Sequence, residues 1–343
     1  IEKYYDGAIE QVAAGLGTVE KNHLLVRYSG QFSIEELSYK DQLEKMENIF
    51  VQMHEFEPGE ITSAYEPYLT MICDGFRRYM TFEEFMEECD VYYLHRPVLL
   101  GYFNRGYAKR EEIILLDEVA YEQERMLAAL ERMLYAIADR HPVLLILNRF
   151  QLASKSTMQL TARILKAENS NIGLVLGVSD IQAMPEFLVP DWEMLYETLD
   201  DGSKIYHIGN SGRKKEEIAD DGKYADYGSE KVYRKLQNMV EFLDFDQAAY
   251  YLEVIERKIK FDNLFVDDPA RFRMWLLFAK VSILRKDIPK ALEICEDLEK
   301  IHLAGREDEC AYEQDYLIAT AYMYQGKLKE ALEMAGETYC IAE

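Results

Sequence analysis

Apolar residues in the first 210 positions show two textures, helical stripes and short unbroken runs. Residues 1–14 carry a helical stripe ended by Gly15-Leu16-Gly17, and His23-Leu24-Leu25-Val26-Arg27-Tyr28 predicts a strand stopped by Ser29-Gly30. Ser33 and Glu36 stand at capping-box spacing, with Leu37, Leu43, Met46 and Phe50 continuing a stripe, so a helix is expected there until Pro58-Gly59 closes the segment. Further helices are predicted at about 64–79, 82–89, 95–105 and 111–139, the second opened by another capping-box pair, Thr81 and Glu84. Pro142-Val143-Leu144-Leu145-Ile146-Leu147 and Ile172-Gly173-Leu174-Val175-Leu176-Gly177-Val178 are continuous rather than alternating, as strands covered on both faces of a parallel sheet are. Between them, Ser156 to Ala167 form an amphipathic stripe, which gives one strand, helix, strand crossover. Ile205-Tyr206-His207-Ile208 predicts one more strand, and residues 1–210 together predict an α/β domain with a parallel sheet and a helical insertion.

From Asn210 to Glu230 the chain is nearly free of large aliphatic residues and mixes both charges with Gly and Ser, so 211–229 is expected to be a linker. Residues 230–343 are helical throughout and self-similar. Leu-Asp-Phe-Asp-Gln-Ala (243–248), Lys-Asp-Ile-Pro-Lys-Ala (286–291) and Gly-Lys-Leu-Lys-Glu-Ala (326–331) each fall between two amphipathic stripes. Ala248, Ala291 and Ala331 are 43 and 40 residues apart. The last unit, with Ala319, Tyr322, Gly326 and Ala331, resembles the tetratricopeptide repeat signature, and the second keeps its two alanines, Ala279 and Ala291. The pattern has a physical reason: small residues let two helices approach, Tyr322 fills their crossing, and Gly326 turns the chain. The resemblance implies an all-α repeat domain that binds another protein or an adjoining output domain, with tyrosines such as Tyr250, Tyr251, Tyr312, Tyr316 and Tyr324 available as anchors or as packing.

Charge narrows the partners. Sixty-three acidic residues against 39 basic ones give a net charge of −24, and acids are in excess on both sides of Ala225. Nucleic acids and anionic membranes both draw on basic groups, so neither is expected as a direct partner. Cys73, Cys89, Cys295, Cys310 and Cys340 form no CxxC pair and no metal-ligand spacing, which fits a reducing cytoplasm. No apolar run reaches transmembrane length, and the start lacks an initiator Met and a signal-peptide core; this start and a last stripe with no stop signal suggest a piece of a longer chain.

An α/β domain invites a search for a phosphate loop, GxxxxGK followed by Ser or Thr, and none occurs. The order of features nevertheless resembles the signal-transduction NTPases with numerous domains, relatives of the AAA class that carry helical repeats after the NTPase module. Tyr65-Glu66-Pro67-Tyr68 resembles the Tyr-x-Pro opening of the helical segment after the second strand. Val143–Phe150 with the helix Ser154–Ala167 resembles the magnesium-binding strand and its helix, and Ile172–Ser179 the next strand. The resemblance implies an acidic pair after the apolar strand. This chain has Asn148-Arg149 there, and neither supplies the negative charge a hard cation needs.

The six histidines show no HExxH and no i, i+4 pair, so no metal is predicted. Glu83, Glu84, Glu87, Glu88 and Asp90 surround Cys89, which reads as a solvated acidic face and an unreactive thiol. The expectation is therefore a non-catalytic regulator without a cofactor, of the kind found in bacterial signalling and transcription control, acting through its repeats. Its open apolar positions Leu317, Ile318, Met323 and Met334 point to self-association through the C-terminal helices. The alternative is an ATPase whose phosphate loop lies upstream of residue 1.

Overall fold

Five strands pair in parallel in the order β2-β3-β4-β1-β5: β1 His23–Tyr28, β2 Phe50–Glu55, β3 Val143–Asn148, β4 Ile172–Ser179 and β5 Lys204–Ile208. The structure is a computed structural model, describing residues 1–18, 23–29, 32–37, 43, 46, 48–110, 114–167, 169–179, 184–200, 204–208, 227–262, 264–301 and 307–342. It divides into two compact units, residues 1–106 with 123–224 and residues 107–122 with 225–343. Most of the expected linker 211–229 lies outside the described residues.

In the first unit every residue of β3 and β4 is buried, which is why both read as unbroken apolar runs. Helix α1, Glu2–Gly15, lays Tyr5, Ala8, Ile9 and Val12 on Leu24, Val26, Leu144, Ile146 and Val175. Gly173 and Gly177 of β4 lie beneath it. A Cβ at Gly173 would collide with Val12, and one at Gly177 with the Tyr5 hydroxyl. These glycines let helix and sheet approach.

Helices α2 Tyr68–Phe76, α3 Phe82–Glu88, α4 Arg96–Arg105, α5 Val119–Ala138, α6 Lys155–Lys166 and α7 Val189–Asp200 complete the unit, with α5 contributing its first turn to the other one. The capping box of α3 forms as read, with Thr81 Oγ accepting from the Glu84 amide and Glu84 accepting from the Thr81 amide. Two expected helices differ. Ser33 caps a 3-10 turn, Ile34–Glu36, and Leu43 is helical, while most of the expected helix between 38 and 47 lies outside the described residues; Phe50, expected to continue that helix, starts edge strand β2. Phe50 and Met53 stand three apart on a half-exposed strand, so the helical template and the strand competed for the same residues. Likewise α5 begins at Val119 rather than 111, because Ala108 and Leu116 are buried in the second unit instead.

That second unit is built of helix pairs: α8 Glu230–Glu241 with α9 Phe245–Phe261, α10 Asp268–Leu284 with α11 Ile288–Leu298, and α12 Glu307–Tyr324 with α13 Leu328–Ala342. The three junctions share one backbone. Leu243, Lys286 and Gly326 all have positive φ, at +68°, +66° and +76°. The next amide in each case, of Asp244, Asp287 and Lys327, donates to the carbonyl five residues back, on Met239, Ser282 and Tyr322. This is the Schellman closure of a helix. The first helices of the pairs pack side by side, α8 against α10 and α10 against α12. Among the described residues no helix is long and apolar enough to cross a membrane.

Left-handed backbone costs a side chain roughly 1 kcal/mol that glycine does not bear. Lys286 is exposed, so Lys286→Gly should stabilise the array by about 0.5–1 kcal/mol, and Gly326→Ala should cost about 1 kcal/mol. Urea midpoints of the two variants should move in opposite directions.

Candidate functional site

In an open parallel sheet a ligand crevice opens at the carboxyl ends of neighbouring strands whose onward connections leave in opposite directions. Here the chain leaves β1 for the far edge at β2, whereas it leaves β4 across β1 for β5. The crevice is therefore expected beyond β1 and β4, beside the end of β3 where Asn148 sits.

Asn148 is wholly buried and meets partners on both sides of its amide. Its Oδ1 accepts from the Tyr28 hydroxyl at 2.7 Å and, at 3.5 Å, from the Tyr5 hydroxyl, while its Nδ2 donates to the Phe32 carbonyl and to Glu55 Oε1, both at 3.2 Å. Glu55 follows from register, since it ends β2 directly opposite Asn148. Its other oxygen accepts from the Ser33 hydroxyl at 2.7 Å and the Ile34 amide at 3.1 Å. Arg149, held at φ +53°, bridges Glu55 at 3.1 Å and Glu57 at 2.9 Å. The Arg149 cation is thus balanced in place, and both oxygens of Glu55 are already engaged.

The rings of Tyr5, Phe32 and Tyr28 pack together above this network, 5.2 Å and 5.9 Å between successive centroids. Burial raises the Tyr28 hydroxyl above its ordinary value, opposed by the Arg149 charge and the Asn148 hydrogen bond; burial likewise raises Tyr5 and Tyr68. The folded chain keeps phenolic protons that the unfolded chain releases near pH 10.0, so this part of the stability is full below that pH and is lost as pH rises above it. Urea midpoints taken from about pH 8 to 11 should fall more steeply for the native chain than for Tyr28→Phe.

The Tyr65-Glu66-Pro67-Tyr68 opening docks on α6. The Tyr65 amide donates to Ser156 Oγ at 3.1 Å, Thr157 Oγ1 donates to the Glu66 carbonyl at 2.9 Å, and the Tyr68 hydroxyl meets Thr161 Oγ1 at 2.6 Å. The acidic face of α3 is exposed around a buried Cys89, whose thiol burial and then Glu88 push up to about 12.

Of the repeat-signature residues, Ala248, Ala279 and Ala291 are wholly buried and Ala319 nearly so, whereas Tyr322 and Ala331 are half-buried and Gly326 is exposed at its turn. The expected open positions divide: Met323 is 45% exposed and Ile318 and Met334 half-buried, but Leu317 is buried. Leu328 and Leu332, at 68% and 74% exposure, extend the open face. Asn148 and Arg149 stand out in the sequence, whereas Tyr5 and Glu55 carry no local mark and Tyr28 and Ser33 are marked only as a strand end and a helix cap. Tyr28 and Glu55 are the last residues of β1 and β2, and no local pattern marks either as a partner of Asn148. The chain matches no protein-family model and no curated protein.

Proposed function

We propose that this chain is a non-catalytic regulatory module in which an NTPase-like α/β domain carries a tetratricopeptide-like array, and that the array binds another protein or an adjoining output domain. The observation that carries the reading is the junction repeated at Leu243, Lys286 and Gly326, with the same φ sign and the same hydrogen bond each time. Repeats closed in one way stack into a continuous surface, and such surfaces serve recognition. The network around Asn148 supports the non-catalytic half of the proposal, because an amide stands where the resemblance implies a magnesium carboxylate and Arg149 pairs with Glu55 and Glu57 beside it.

Two measurements test it. Millimolar ATP or GTP with magnesium should neither be hydrolysed nor raise the melting temperature, where a bound nucleotide at a hundredfold excess over its dissociation constant would add about 2.7 kcal/mol. The open face at Met323, Leu328 and Leu332 should make the chain self-associate through α12 and α13, with Leu332→Glu weakening the association in sedimentation. A nucleotide-induced melting shift of several degrees would overturn the first half; a strict monomer that captures no protein through its repeats would overturn the second.

A further inference from the structure

Between α4 and α5 the described residues 107–110 and 114–118 form no helix or strand, and they belong to the unit of helix pairs. This strap is bound by its backbone. The Ala108 amide donates to Asn238 Oδ1 at 2.7 Å, the Arg110 amide to Glu241 Oε2 at 2.8 Å, and the Leu116 amide to the Tyr324 hydroxyl at 3.3 Å. Arg110 Nη2 adds a bond to the Glu241 carbonyl at 3.0 Å, and Arg234 lies 5.3 Å from the centre of the Tyr107 ring. Ala108 and Leu116 are buried while Lys109, Leu115 and Asp117 face solvent.

Asn238 and Glu241 belong to α8 and Tyr324 ends α12; Lys280 of α10, between them, reaches Glu241 Oε1 at 3.3 Å. The described strap residues thus bond to the first and the last of the three helices that open the pairs. Side-chain acceptors that read backbone amides are indifferent to sequence, so a different extended peptide can satisfy them. The strap is also an imperfect fit. Arg110 Nε and Nη1 are buried with no hydrogen-bond partner among the described residues, and burial lowers the Arg110 pKa against the pull of Glu241 and Glu122. Unpaired buried donors favour a competitor that pairs or solvates them.

We propose that the row of α8, α10 and α12 is a groove for an extended peptide of a partner protein, one with a basic residue at the place of Arg110, and that the strap residues 107–110 and 114–118 are its built-in competitor, which must leave before the partner docks. The proposal rests on the reading of the array as a protein-binding module and adds where the partner binds and what holds it off.

The test uses the full chain and a fluorescein-labelled peptide copying residues 106–118. A strap variant, Ala108→Glu with Arg110→Ser, should bind that peptide at least tenfold more tightly than the native chain does. Adding Tyr324→Phe and Asn238→Ala to it should reverse the gain, and a peptide with Glu in place of Arg110 should bind at least tenfold more weakly. A folded strap variant with no gain, or a gain that survives loss of both groove acceptors, overturns the proposal. Hydrogen exchange on the native chain covers the case of a variant that does not fold. Excess unlabelled peptide should speed exchange at the Ala108 and Arg110 amides severalfold, and unchanged protection overturns the proposal equally. Self-association through Leu332 involves none of these residues, so it persists if only the strap idea fails and is lost if the binding role of the repeats is wrong.

Discussion

Asn148→Asp should destabilise the α/β unit by about 3 kcal/mol, although it changes one nitrogen for one oxygen. The amide at this position is used at both ends. Oδ1 takes the Tyr28 hydroxyl, and Nδ2 gives hydrogen bonds to the Phe32 carbonyl and to Glu55. A carboxylate keeps the first and loses both of the others, and it sets a second negative charge against Glu55 in a buried place. A carboxyl there should have a raised pKa, so the charged form is disfavoured, and the deficit should be largest at neutral pH and shrink as pH falls towards about 4. Urea unfolding at two pH values measures this. Magnesium gives the opposing outcome: if the aspartate recreates a cation site, millimolar magnesium restores the midpoint. The network predicts that it does not, because Arg149 and the donors of Ser33 and Ile34 already surround Glu55. A variant as stable as the native chain would mean that Asn148 is a remnant rather than the centre of a fitted network.

The case of Asn148 also shows where sequence reading reached its limit. The apolar run of β3 and its abrupt polar end were legible, because full burial on both faces leaves an unbroken apolar signature that stops at Asn148. The partners were not. Tyr5, Tyr28 and Glu55 lie 143, 120 and 93 positions from Asn148, and only strand order brings them together. The repeats behave oppositely. Their contacts join consecutive helices, so Ala248, Ala291 and Gly326 could be placed from spacing alone, and the left-handed residue could be read at Gly326. At Leu243 and Lys286 the same backbone is worn by residues that give no such signal, and the register of the three units supplies it. Edge strand β2 and the strap at 107–118 escaped for a shared reason. β2 is a half-buried strand and the described strap residues belong to no helix or strand, yet the apolar residues of both also fit a helical stripe, and burial against distant partners decided against it.

The second large effect is expected at a residue with no side chain. Gly177→Ala should cost about 2–3 kcal/mol, because the added carbon would overlap the Tyr5 hydroxyl and crowd Asn148 Oδ1, and α1 must lift or the network must open. Gly7 supplies the contrast within the same helix. Nothing lies within 4 Å of a Cβ there, so Gly7→Ala should stabilise α1 by about 0.5–1 kcal/mol through helix propensity alone. If the strand glycine is needed for the close approach of Tyr5, then Tyr5→Phe should recover part of the loss at Gly177, the rest remaining because the ring edge is still near. Tyr5→Phe by itself should be mild, since its bond to Asn148 is long at 3.5 Å. The double-mutant cycle decides the matter: a coupling of about 1 kcal/mol is expected between the two positions, and strict additivity would show that the approach of α1 to β4 is not what holds Gly177 in place.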